Sequence, residues 1–450
     1  MTAVAATLGL ALAARLVYGR GTLGYDAAWA LVWGQQLSRG ELPEFRADGA
    51  PTPHPLAIVV SAALAPLGST GVELILALSW LALGALGWLA FRLGQELYSA
   101  WVGALFAVLL LTRPLLVLEA GQAVIDVPFL ALVVAALLAE ARRPRTGWTV
   151  PVLLASAGLL RPEAWLLALA WAAWAATARR DRVALAAAAL AAPLAWMALD
   201  LAATGDPLHS LHGTQELAEQ LGRPREIGTA LRTAPAYLAF ALTKPVMWLG
   251  LAGFAAALVL RYERTLLPAA TAGLGLLAYL ALGVAGLPLL SRYLLLPATL
   301  LALWAAFAAL PGTRSRASIA AGVLALAVLA AGLAGTVRAV RSAHALVESR
   351  RTFEQALAAT LEAAPVRAAL ERCGRLTVPD DRPRPLARFL TSVPVAVQGS
   401  RGSAAGVTLT YATEAARATN RIGPAPPAGT PAGGVRLAAN ATWIATTRGC

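Results

Sequence analysis

The chain has 450 residues, of which 58% are hydrophobic and only 14% charged, and its formal net charge is +13. Soluble domains carry about 25% charged residues, so a soluble enzyme, a disordered chain and a secreted disulfide scaffold are all excluded. What remains is an integral membrane protein built of apolar helices. All the basic residues but Lys244 are arginine, and they are spread over short loops rather than gathered on one face. That distribution sets topology and meets anionic headgroups; it does not bind nucleic acid. The Ala- and Arg-rich, nearly lysine-free composition points to a GC-rich bacterial genome. The two cysteines, Cys373 and Cys450, form no CxxC or Cys/His cluster, so no structural zinc site is expected.

A spanning helix needs roughly 20 apolar residues. In chain order the runs predict eleven spans, at 2–18, 70–91, 99–112, 125–140, 148–160, 163–178, 183–203, 236–260, 265–285, 289–310 and 317–336. The first lacks a basic start, and its Ala11-Leu12-Ala13 falls inside the apolar run, so it reads as a membrane helix rather than a signal peptide. Arginines punctuate alternate, very short loops: Arg142, Arg143 and Arg145; Arg179, Arg180 and Arg182; Arg261 and Arg264; Arg314 and Arg316. By the positive-inside rule these loops are cytoplasmic. The other loops hold Asp26, Glu41, Glu44, Asp48, Asp126, Glu163, Asp206, Glu216 and Glu226. The expected placement is the bacterial plasma membrane, with the N-terminus cytoplasmic and the C-terminal part outside.

The fold class expected is thus an α-helical polytopic membrane domain, 1–337, followed by a small extracytoplasmic α/β domain, 338–450. Within the first, 19–69 and 204–235 form long outer loops. Stretch 27–39 sets Trp29, Val32, Trp33 and Gln36 on one helical face, suited to a helix lying in the membrane interface. Stretch 56–67 repeats the pattern. In the C-terminal domain, 339–363 reads as a helix. Strand-like runs follow at Leu376–Val378, Val393–Val397, Val407–Tyr411 and Trp443–Thr446, with Pro/Gly punctuation at 423–434. An oxidising compartment permits a Cys373–Cys450 disulfide there. No internal repeat is evident.

Ionisable residues at a membrane are costly and mark function by default. Asp26, in Gly24-Tyr25-Asp26-Ala27-Ala28-Trp29, is either the N-cap of the helix that follows or a carboxylate base at the membrane surface. His54, in Pro-His-Pro-Leu, is an interfacial histidine or a phosphate donor aimed by rigid prolines. Asp126 opens a span as an N-cap or a site carboxylate. Arg161-Pro162-Glu163 is a structural ion pair or part of a site. Arg292, beside Tyr293, either snorkels to headgroups or clamps a phosphate with its planar fork. Lys244 could add a point charge to the same anion. His209 and His212, near Asp206 and Glu216, give weak support to a metal site. No Walker loop, GxGxxG, GxSxG or HExxH occurs.

Taken in order, these segments resemble a known family. The Asp after the first span, Pro-His-Pro-Leu, Ile-Asp-Val-Pro-Phe, Leu-Arg-Pro-Glu and Ser-Arg-Tyr-Leu together are similar to the GT-C membrane glycosyltransferases. The branch is the protein-mannosyltransferase and aminoarabinose-transferase type, in its bacterial glycosyltransferase-39-like form, over roughly 1–335. The resemblance implies transfer of a sugar, mannose-like or another hexose or pentose, from a polyprenyl-phosphate carrier to a glycan, lipid or protein acceptor on the outer face. It implies Asp26 as the catalytic carboxylate, with His54, Arg161 and Arg292 near the donor phosphate or sugar and Asp126 and Glu163 as site carboxylates. Protein-mannosyltransferases carry two adjacent acids where this chain has Asp26 followed by Ala27, which weighs against a protein acceptor.

The chemistry suits these residue types. A lipid phosphate is already a good leaving group, so one base and several cations suffice, and a single displacement inverts the anomeric carbon. No cofactor is expected, and the residue set leaves a divalent metal undecided. The competing reading is a flippase for a lipid-linked sugar. It predicts charge deep along a path, whereas the spans at 70–91 and 265–285 are nearly uncharged at their centres. A non-enzymatic assembly protein would need none of Asp26, His54 and Arg292.

Overall fold

The computed structural model describes residues 2–47, 49–310, 316–398, 406–420 and 434–449. It divides into two compact units. One comprises Met1–Arg20, Thr52–Ala57 and Leu76–Ala345; the other comprises Gly21–Pro51, Ile58–Ile75 and Leu346–Cys450. The sequence had suggested a single cut at 337/338. The contacts instead group most of the first long loop with the C-terminal part.

The helices run in chain order α1 (Ala3–Tyr18), α2 (Tyr25–Ser38), α3 (Pro55–Leu64), α4 (Ser69–Leu97), α5 (Ala100–Leu111), α6 (Pro114–Gly121) and α7 (Asp126–Arg142). There follow α8 (Thr149–Gly158), α9 (Glu163–Ala175), α10 (Arg182–Thr204), α11 (His209–Gln220), α12 (Ile227–Leu242), α13 (Lys244–Leu260) and α14 (Tyr262–Val284). Last come α15 (Leu295–Ala309), α16 (Arg316–Ala331), α17 (Leu333–Glu362), α18 (Ala364–Cys373), α19 (Arg384–Thr391) and α20 (Glu414–Asn420).

The first unit is the membrane bundle. Among the described residues four helices are individually long and apolar enough to cross a bilayer, and three bent pairs bring the number to seven. Several of the eleven expected spans are therefore short, as α8 and α9 are, or broken. The stretch 236–260, read as one span, is two helices meeting at 106°. The break falls at Thr243, whose φ of +75° no helix accommodates. The loop expected at 204–235 is largely helical, holding α11 and the start of α12.

α15 is the axis of the bundle and is buried nearly all round. Without a hydrophobic force between helices in lipid, close approach of small residues sets the packing. A Cβ at Gly253 of α13 would stand 1.9 Å from the Trp304 carbonyl of α15, and one at Gly103 of α5 would stand 2.2 Å from the Phe91 carbonyl of α4. α16 and α17 meet at 40°. The apolar part of this pair ends before Arg338, and the rest of α17 carries Arg338, Arg341, Glu348, Arg350, Arg351, Glu354 and Glu362.

The second unit is a five-stranded sheet with helices. Its strands are β1 (Leu376–Val378), β2 (Val395–Val397), β3 (Val407–Tyr411), β4 (Val435–Ala439) and β5 (Trp443–Thr447), in the order β2-β1-β3-β5-β4. β1 pairs parallel with β2 and β3, and β5 pairs antiparallel with β3 and β4. The sequence reading located all of these strands but β4. Much of the expected Pro/Gly stretch lies outside the described residues. Trp443 is fully buried against Phe353 and Tyr411, with ring centroids 4.9 and 5.0 Å away. Cys373, ending α18, is disulfide-bonded, and Cys450 lies outside the described residues.

α2 belongs to this unit, and here the structure departs from the interfacial reading. Every residue from Ala27 to Gly34 is buried. Trp33 packs edge-on to Phe45 at 5.1 Å, and the Arg384 guanidinium of α19 lies over the Trp29 ring at 5.8 Å. The tryptophans that suggested a lipid-facing stripe are spent on protein packing. Gly34 is where α2 and α3 touch, since a Cβ there would meet the Ser61 backbone at 2.5 Å.

Candidate active site

Two helix N-termini in the membrane bundle meet at one arginine. Asp126 is the first residue of α7, and Glu163 is the first residue of α9. Carboxylates are favoured there because the helix dipole is positive at that end. The caps themselves are Ile125 and Pro162, neither making a side-chain cap bond, so Asp126 is not the N-cap that its position suggested. Its carboxylate is taken by Arg161 instead. Arg161 Nη2 donates to Asp126 Oδ1, and Nη1 donates to Glu163 Oε1 at 3.2 Å. Arg161 is 4% exposed and Asp126 1%. Desolvating such a triad is expensive and is offset only by close, hydrogen-bonded geometry.

The triad is not fully satisfied from within. Asp126 Oδ2, Glu163 Oε2 and Arg161 Nε are buried with no hydrogen-bond partner among the described residues. Buried polar atoms nearly always have partners. Both acceptors and the remaining donor are thus open to a bound molecule.

Arg292 and Tyr293 join this group from the short 3₁₀ turn Ser291–Leu294 ahead of α15. The Tyr293 ring lies 5.0 Å from the Arg161 guanidinium carbon and 5.8 Å from that of Arg292. A π face can hold two cations near one another in a way that an apolar wall cannot.

His54 is brought to the same hinge. The Leu56 N–H donates to the Leu159 carbonyl at 3.2 Å, tying the Pro-His-Pro loop to the turn that ends in Arg161. The imidazole stands edge-on to Trp196 at 5.6 Å. The indoles of Trp196 and Trp165 both donate to the Gly158 carbonyl, at 3.1 and 3.0 Å. Thr52 bonds Thr214 of α11 at 2.5 Å, and α11 is fastened to α10 through Asp200, which accepts from the Ser210 N–H at 2.8 Å and its hydroxyl at 2.9 Å.

Lys244 is exposed at the start of α13, and no hydrogen bond or ion pair links it to the triad among the described residues. His212 donates to Asp206 at 2.7 Å. Among the described residues no group of three His, Cys, Asp or Glu side chains could hold a metal ion. Asp26 lies in the second unit, at the second position of α2. The N-cap is Gly24, so the capping reading fails for Asp26. The helix start is held from elsewhere in that unit: Glu354 of α17 accepts the Leu23 N–H at 3.2 Å, and the Tyr25 hydroxyl donates to the Gly49 carbonyl at 2.7 Å.

The sequence reading missed Arg113. It is 4% exposed at the 62° break between α5 and α6. Its guanidinium donates to the Leu109 carbonyl at 2.8 Å and to the Leu242 carbonyl at the α12–α13 break. The signal was available, because a charged residue followed by Pro114 interrupts an apolar run.

Two solved structures are similar to the chain over almost its whole length. One is ArnT from Cupriavidus metallidurans bound to undecaprenyl phosphate, with 12% identity, 99% of this chain and 98% of that chain covered, and a TM-score of 0.60. The other is ArnT from the same organism in the apo state, with 13% identity, 99% and 97% coverage and a TM-score of 0.61. The chain has the GT-C fold. No protein-family model and no curated protein matches it. Within the GT-C fold, the Arg161 group occupies the bundle end opposite the arginine-rich turns, since α7 runs from Asp126 at one end to Arg142 at the other.

Proposed function

We propose that this protein is an inverting glycosyltransferase that moves a sugar from a polyprenyl-phosphate carrier to an acceptor hydroxyl at the outer face of a bacterial plasma membrane. The observation that carries the reading is the buried Asp126–Arg161–Glu163 triad, with its open carboxylate oxygens and with Arg292 beside it on the Tyr293 ring. The GT-C fold supports it, as does the undecaprenyl phosphate bound to the similar ArnT.

In this reading Arg292 and His54 take the carrier phosphate, and the open oxygens of Asp126 and Glu163 take sugar hydroxyls. Arg161 neutralises the two carboxylates and holds them apart. Asp26 removes the acceptor proton as the oxygen attacks the anomeric carbon. The bond to the lipid phosphate breaks, and the cations stabilise the charge that develops there. Gly24, not Asp26, is the cap of α2, and Asp26 lies in the first turn of that helix.

The test is sugar transfer by purified protein in proteoliposomes, with a panel of radiolabelled polyprenyl-phosphate sugars and a cell-envelope extract as acceptor. Transfer by wild type, lost in Asp26→Asn while donor binding persists, is the expected result. Donor translocation without transfer, equal in both proteins, would replace the transferase with a flippase.

A further inference from the structure

The bundle has a second polar feature, at the end away from the Arg161 group. A cleft of about 760 Å³ opens between α14 on one side and α7, α8 and α9 on the other. Its inner part is apolar, walled by Leu154, Leu167 and Leu274. Its charged and hydroxyl-bearing lining consists, among the described residues, of Glu96, Glu140, Glu263, Arg264 and Thr271, with the indoles of Trp171 and Trp174 beside them. The arginine-rich turns lie at this same end. Arg142 pairs with Glu96 at 3.0 Å, Arg264 Nη1 donates to the Leu97 carbonyl at 3.0 Å, and the Arg145 guanidinium lies 5.1 Å from the Trp174 ring. Arginine beside tryptophan is the composition of a headgroup belt.

The charges on the lining do not balance. Glu96 has Arg142. Glu140 is 2% exposed and accepts the Arg145 N–H at 2.7 Å and the Trp171 indole at 2.6 Å, yet no cation pairs with it among the described residues. Glu263 likewise has no ion-pair partner among them. Arg264 is the only cation on the lining among the described residues. A buried intramembrane carboxylate without a counter-cation marks a place where a positive group binds. An anionic lipid would be repelled by both glutamates. A headgroup carrying an ammonium with N–H donors and a phosphate matches them and Arg264 together.

We propose that this cleft binds an aminophospholipid of the adjoining leaflet, an acyl chain filling the apolar part, the ammonium facing Glu140 and Glu263, and the phosphate on Arg264. The site is separate from the transfer chemistry and does not depend on it.

The experiment is native mass spectrometry of the full-length protein after delipidation in detergent. Equimolar palmitoyl-oleoyl phosphatidylethanolamine, phosphatidylcholine and phosphatidylglycerol are added, and the retained lipid is read. Phosphatidylethanolamine is expected to be retained over the other two by roughly tenfold, the scale of a charge-assisted pair. Glu263 is exposed, so Glu263→Gln keeps the fold and lowers that preference several-fold. Leu267→Trp fills the cleft and lowers retention of all three lipids. Equal retention of the three by wild type, a preference for phosphatidylglycerol, or a phosphatidylethanolamine preference that both Glu140→Gln and Glu263→Gln leave intact would each overturn the proposal.

Discussion

Arg161 and Asp126 lie 35 positions apart, each at the mouth of a different helix, and are joined by a buried charge-assisted bond. Glu163 takes the other side of the same guanidinium. Removing the arginine leaves two carboxylates in a dry site with no counter-charge. Arg161→Ala is therefore expected to destabilise the bundle by about 3–5 kcal/mol, the cost of breaking a buried pair from one side. The combined Asp126→Asn, Arg161→Met, Glu163→Gln variant removes the charges together and should recover most of that loss without recovering transfer. Thermal unfolding in detergent measures the first effect, and the proteoliposome assay measures the second. A triple variant no more stable than Arg161→Ala would show that the triad is not the unit described.

Arg113 ties two helix breaks together, and its environment dictates what can replace it. Three of its nitrogens are engaged, including Nη2 on Thr112 Oγ1 at 3.1 Å, and only a planar fork reaches all these acceptors. Arg113→Lys should cost roughly 2–4 kcal/mol, because the buried Leu109 and Leu242 carbonyls cannot both keep their donors. Thr243, on the other side of the contact, is a β-branched residue at positive φ. Thr243→Gly is expected to stabilise by about 1 kcal/mol through relief of that backbone. Melting curves of both variants decide the point; a destabilised Thr243→Gly would show that the threonine side chain is worth more than its strain.

Much of this arrangement could be read from the chain because it rests on local pattern. The apolar runs marked the bundle, and short strand-like runs located β1, β3 and β5 almost to the residue. Asp126, Arg161, Glu163, Arg292 and Tyr293 were picked as charged or aromatic residues at the edges of spans, and the structure collects those five. What hydrophobicity could not show was direction. It cannot tell a tryptophan facing lipid from one facing protein, so Trp29 and Trp33 were assigned to an interface when they lie inside the second unit. It cannot show that 236–260 turns through 106° at Thr243, because both halves are equally apolar. Nor does it show that Gly24 caps α2, which depends on backbone angles.

That last detail separates two roles for Asp26. A capping aspartate precedes its helix, whereas Asp26 is the second residue of α2 and follows the Gly24 cap. Asp26→Asn should therefore change stability by less than about 1 kcal/mol, the scale of a first-turn charge near the helix dipole. If it is the base, transfer falls by about 10²–10⁴-fold in the same protein. A melting temperature that drops in step with activity would assign Asp26 to the fold and not to the chemistry.

Glu354 holds the start of the same helix from α17, well beyond the apolar part of that helix. Its half-buried side chain lines a small cavity of about 20 Å³ together with Tyr25, Arg350 and Arg382. Burial pushes its carboxyl up to about 7, while the Leu23 N–H and the charges of Arg350 and Arg382 pull the other way. An acid whose folded pKa lies above its unfolded value near 4.3 favours the folded state at low pH, and that contribution is lost as pH rises through about 7. Glu354→Gln keeps an acceptor for the Leu23 N–H and never ionises. At pH 8 it should therefore be more stable than wild type by about 2 kcal/mol, after allowance for the part of the side chain that water reaches. Toward pH 5 the two proteins should converge. Thermal unfolding of both across pH 5 to 8 measures the difference, and a gap that stays constant over that range would mean that Glu354 does not titrate there.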